Sequence, residues 1–108
     1  MDNTALLAET LEKEMALTVS KGISFDELRS ALATHITYLI GHDFEKLVFL
    51  LYRIDVDEIK MRMLLEQKAG EDTAGPLADL IIERQLQKIR SRQQFSQRDN
   101  DIDEKDKW

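Results

Sequence analysis

Leucine, isoleucine, methionine and valine recur every three or four positions along most of the chain, and the recurrence breaks at a few glycines and one proline. That period places apolar groups on one face of an α-helix, and no stretch holds the alternation of a half-buried strand. Gly22, Gly41, Gly70, Gly75 and Pro76 divide the pattern into helical segments. The first runs from about 3 to 21, with Leu7, Leu11, Met15 and Val19 as its stripe and Gly22 as a left-handed C-cap. The second has the clearest start. Ser24 is the N-cap, Glu27 three residues on completes a capping box, and Ile23 and Leu28 are spaced as a hydrophobic staple. Leu28, Leu32, Ile36 and Leu39 form its stripe, His35 lies beside it, and Gly41 ends it.

A third segment, from about 43 to 53, has Asp43 as cap and Phe44, Leu47, Val48, Leu51 and Tyr52 at helical spacing. Phe49 and Leu50 carry its apolar surface further round, which predicts a central helix with neighbours on several sides. In the fourth, Asp55 and Glu58 read as a D-x-x-E start with Ile54 and Ile59 as staple. Ile59, Met63 and one or both of Leu64 and Leu65 would be its buried side, and the helix would fade at Gly70. Residues 70–75 are a polar loop. Pro76 fits the first position of a fifth helix running to about Phe95, with Leu77, Leu80, Ile81, the stem of Arg84, Leu86 and Ile89 as its stripe. Residues 97–108 carry little apolar content among charges and read as a disordered acidic tail. The expected fold is all-α: a bundle of four to five helices over residues 1–96, with a long C-terminal helix.

Composition narrows the function more than it widens it. A chain of 108 residues suits one domain. A compact chain of this mass would expose roughly 6,200 Å². The absence of cysteine excludes disulfides, thiolate chemistry and cysteine-bound metals. Asp2 and the charges at Glu9, Glu12, Lys13 and Glu14 do not suit a signal peptide, and no apolar run suits a membrane span, so a cytoplasmic protein is expected. The net charge of −6 conceals three regions. Residues 1–75 carry −6, residues 76–98 carry +3, and residues 99–108 carry −3.

The sites that invite chemistry are incomplete. Asp99, Asp101 and Asp103 open like a calcium loop, but Glu104 stands where the turn needs glycine and the twelfth ligand position has no residue. Asp55, Asp57 and Glu58 lie where helix capping explains acidic groups without a cofactor. His35 and His42 lack the H-E-x-x-H pairing of a zinc helix, and nothing around His35 marks it as a phosphoacceptor. No phosphate-binding glycine loop occurs. The reading is therefore not an enzyme, with no cofactor and no metal.

Association explains the surplus of apolar positions better. A homodimer is expected, with Phe49, Tyr52, Leu80, Ile81, Leu86, Ile89 and Phe95 as candidate interface residues. The alternative is a nucleic-acid-associated regulator. It would use Arg84, Lys88 and Arg92, which share one helical row, as phosphate contacts. The runs Leu51-Tyr52-Arg53-Ile54-Asp55-Val56-Asp57-Glu58 and Ala78-Asp79-Leu80-Ile81-Ile82-Glu83-Arg84-Gln85-Leu86 resemble small helical proteins of unknown function from Bacteroidetes-type bacteria. The resemblance spans about residues 30 to 92. It implies a bacterial cytosolic origin and assigns no catalytic residue.

Overall fold

Five α-helices follow one another in a computed structural model of the chain: α1 (Thr4–Met15), α2 (Phe25–His42), α3 (Phe44–Ile54), α4 (Glu58–Leu65) and α5 (Ala74–Lys105). Residues 3–66 and 72–105 are described, the last of them, from 95 onward, by their backbone alone. All five helices contribute to one apolar core, and α2 and α5 share the most extensive interface. At 32 residues α5 is the longest helix. Its length of about 48 Å accounts for most of the 58 Å long dimension. The chain exposes 7698 Å², more than the compact expectation of roughly 6,200 Å².

The start of α2 follows the sequence closely. Ser24 Oγ accepts from the Glu27 amide at 3.2 Å, and Glu27 Oε1 accepts from the Ser24 amide at 3.1 Å. The hydrogen bonds from Ser24 hold the Glu27 carboxyl below its usual range. Leu28, Leu32, Ile36 and Leu39 are all buried. Gly41 does not end this helix; it lies inside the last turn, and the chain leaves at Asp43 with an extended φ of −155°. Asp43 then caps α3 by accepting from the Lys46 amide at 3.1 Å. Replacing Ser24 with alanine should cost about 1 kcal/mol, read as a lower midpoint in urea unfolding.

Three expectations need correction. The first helix stops at Met15, not near Lys21, and Ala16 takes the left-handed conformation (φ 55°) that was expected of Gly22. The stripe Leu7, Leu11, Met15 is buried as expected, but the next apolar group enters the core as Leu17, from outside the helix. Thr18, Val19 and Ser20 are weaker helix formers than the residues before them, so little favours continuing past the cap. Gly22 (φ 76°) instead serves the turn closed by the Ile23 amide on the Ser20 carbonyl.

The fourth helix begins two residues later than its acidic pattern suggests. Asp55 is the left-handed C-cap of α3 (φ 66°), and Asp57 is the N-cap of α4, accepting from the Lys60 amide at 3.1 Å. The shift moves the staple positions to Val56 and Met61, both buried. Ile59 and Met63 are left on the outer face, with Leu64 and Leu65 partly buried. The helix ends at Leu65, before Gly70, which lies outside the described residues.

The third correction concerns α3. It is not central: Leu47, Leu50, Leu51 and Ile54 are buried, whereas Phe44, Phe49 and Tyr52 are exposed. That arc covers one side only, and the pair α2–α5 holds the middle. Pro76 is the third residue of α5, inside the first turn where a missing amide costs no intrahelical bond. The backbone of α5 continues past Phe95 to Lys105. The last three residues of the expected tail lie outside the described residues.

Arg29 on α2 fastens the start of α5 through a two-pronged bond to Asp79, 2.6 and 2.9 Å long. The hydrogen bond from Arg29 holds the Asp79 carboxyl below its usual range, against the smaller opposing push of partial burial. A carboxyl depressed in the folded state stabilises above its unfolded value, near pH 3.9, and loses that contribution as pH falls through its lower folded value. In the Arg29→Ala variant, thermal midpoints should therefore fall less steeply below about pH 4 than in wild type. Both groups are substantially exposed, so the difference should be small.

Candidate functional site

The expected phosphate row is mostly occupied within the chain. α3 ends at Ile54, and the Ile54 and Asp55 carbonyls point out of its last turn, the partially negative end of a helix. Lys88 Nζ donates to the Ile54 carbonyl at 2.5 Å. Arg84 Nε donates to the Asp55 carbonyl at 2.9 Å, and its Nη2 to Asp55 Oδ2 at 3.2 Å. The two cations thus close the C-terminus of α3 and tie it to α5. Arg92 is exposed beside a shallow cleft of 260 Å³ between α1 and α5 that also holds Leu6, Glu9 and Lys13.

The expected interface residues separate into two groups. Leu80, Ile81 and Ile89 are buried in the chain's own core, and Leu86 packs partly against it. The α5 stripe is consumed by contacts with α1, α2, α3 and α4. Phe49 and Tyr52 remain, at 62% and 53% exposure, one turn apart on the outer face of α3. The Tyr52 hydroxyl donates to Glu58 Oε1 at 3.4 Å, and Arg62 donates to the same oxygen at 2.8 Å. The Phe95 side chain lies outside those described.

The histidines are not brought together. His35 Nε2 donates to the Met15 carbonyl at 3.0 Å, across from α2 to the end of α1. It closes the helix that stops earlier than its periodicity suggests. His42 Nδ1 donates to the Tyr38 carbonyl at 2.9 Å, and its ring stacks on Tyr38 with centroids 4.2 Å apart. Asp55 and Asp57 face opposite helix ends as caps, and Glu58 pairs with Arg62. Among the described residues, no three histidine or carboxylate groups are placed to hold a metal. No described helix is long and apolar enough to cross a membrane.

Gln85 is the polar residue that helical spacing alone would have found. It stands four residues after Ile81 and four before Ile89, so it shares their buried face. It is 2% exposed, and its Nε2 has no hydrogen-bond partner among the described residues. Other unclaimed features are apolar. Ile59 and Met63 are 73% and 65% exposed on α4, the shortest of the five helices. No protein-family model, no curated protein and no solved structure matches the chain.

Proposed function

We propose that this is a cytoplasmic, bacterial-type helical module that acts by protein–protein contact and self-associates through the outer face of α3. The observation that carries the reading is the exposure of Phe49 and Tyr52, two large aromatics on adjacent turns of one helix. Exposed aromatics grouped this way are more typical of contact surfaces than of free surface. The dimer surface expected from sequence therefore narrows to its α3 members, Phe49 and Tyr52, because the apolar groups of α5 are spent in the core.

Light scattering across a dilution series tests this. A mass rising toward twice 12.5 kDa with concentration is expected, with the Phe49→Glu chain remaining monomeric. A monomer at every concentration up to the near-millimolar range would refute it. Retention of the protein on DNA at low salt, lost on Arg92→Ala, would favour the nucleic-acid reading instead.

A further inference from the structure

The outer face of α3 carries opposite charges at its two ends. Glu45, Phe49 and Arg53 stand four residues apart, so they form one row along the helix, and all three are exposed. Val48 and Tyr52 form the row beside it. We propose that a second copy of the chain docks on this face with its own α3 antiparallel, so that Glu45 of each chain meets Arg53 of the other. The inference rests on the self-association reading and adds to it an orientation, two specifying residues and a dependence on salt. In a two-fold contact the same patch serves both chains, and a dyad through Phe49 sets each end of the row against the opposite end of its copy. Glu45 and Arg53 are separated by about 12 Å of helix, so each ion pair forms about 6 Å from the dyad. At a crossing angle of about 50°, the commonest between helices, the four-residue rows of the two copies run alongside each other. Phe49 then packs at the centre, and Val48 and Tyr52 fill the groove beside it. Parallel helices would instead set Glu45 against Glu45 and Arg53 against Arg53.

Both charges are available for this. The Glu45 carboxylate makes no hydrogen bond or ion pair among the described residues. Arg53 meets Glu14 through Nε at 3.2 Å, and 55% of its side chain stays exposed. That contact steadies the guanidinium and leaves its terminal nitrogens to a second carboxylate, since the planar fork carries several donors. Lys46, the cation next to Glu45, lies about 100° further round the helix and outside the row.

Light scattering of the full chain and its variants, alone and mixed, tests the pairing. Glu45→Arg and Arg53→Glu each set like charges together twice, so each alone should dimerise at least about tenfold more weakly than wild type. Their equimolar mixture should recover association to within about threefold of wild type, because every facing pair is then opposite in sign. Both positions are exposed, and circular dichroism should remain that of wild type. Glu45→Gln and Arg53→Gln, which add no repulsion, should each weaken association about threefold and flatten its decline between about 50 and 500 mM salt. A wild type monomeric at every concentration would refute the self-association reading itself. A dimer whose weakened variants are not rescued by mixing, or one indifferent to all four substitutions, would overturn the antiparallel pairing alone. So would a mixture of Glu45→Arg with wild type that associates more tightly than either by itself, the mark of parallel helices.

Discussion

Ile81→Ala is expected to remove a large share of the chain's stability, and to do so in the monomer. Ile81 is fully enclosed on the face of α5 that meets the core. Truncation at such a site typically costs about 2–5 kcal/mol, the transfer term plus the cavity left behind. Domains of this size hold only about 5–15 kcal/mol in total. The thermal midpoint should fall by about 10–25 °C. The decisive feature is concentration. If Ile81 served a dimer contact, the loss would shrink on dilution as wild type dissociated. Enclosure within one chain demands the same loss at every concentration. Differential scanning calorimetry at two protein concentrations distinguishes the two.

The second large effect has the opposite sign. Gln85→Met should stabilise the fold by about 1 kcal/mol, raising the midpoint by about 4–8 °C. A buried amide donor without a partner carries its desolvation penalty, typically about 1–3 kcal/mol, into the folded state. Methionine has a similar reach, no donor and enough flexibility to fill the space. Gln85 is as enclosed as its neighbours Ile81, Ile82 and Ile89, so substitution exchanges one enclosed side chain for another. A lower midpoint would mean that the Gln85 amide is satisfied and that the polar group stabilises the core.

Much of the fold was legible because local chemistry and tertiary packing agree. At α2, the Ser24–Glu27 box fixed the start, and the four-residue spacing from Leu28 to Leu39 marked the face that is buried. α4 shows where reading fails. Asp55 and Asp57 are both good caps, and sequence offers no way to know that α3 would use the first for its own left-handed end. A start at Asp55 places the buried face two residues early, on Ile59 and Met63, whereas the start at Asp57 puts Met61 in the core. At α1, periodicity extended through Val19, but the chain turned at Ala16 and a distant residue, His35, took the Met15 carbonyl. A cap supplied from 20 residues away leaves no local trace.

The same difference separates the candidate surfaces. Apolar surplus on α5 suggested an interface because sequence does not show how many neighbours a helix has, and α5 has four. The cations of α5 looked free for the same reason. Arg84 and Lys88 close the end of α3, 34 positions before Lys88 in the latter case. The aromatics of α3 looked central and proved to be outside. A helix apolar over most of its circumference reveals its exposed side only once its partners are counted.

The proposal that the working surface is the outer face of α3 is met most directly by amide hydrogen exchange, measured at micromolar and at near-millimolar protein concentration. Slowed exchange at high concentration, centred on Phe44–Ile54 and absent in Phe49→Glu, is the expected result. Protection centred on residues 74–89 of α5, or exchange identical at both concentrations, would contradict it.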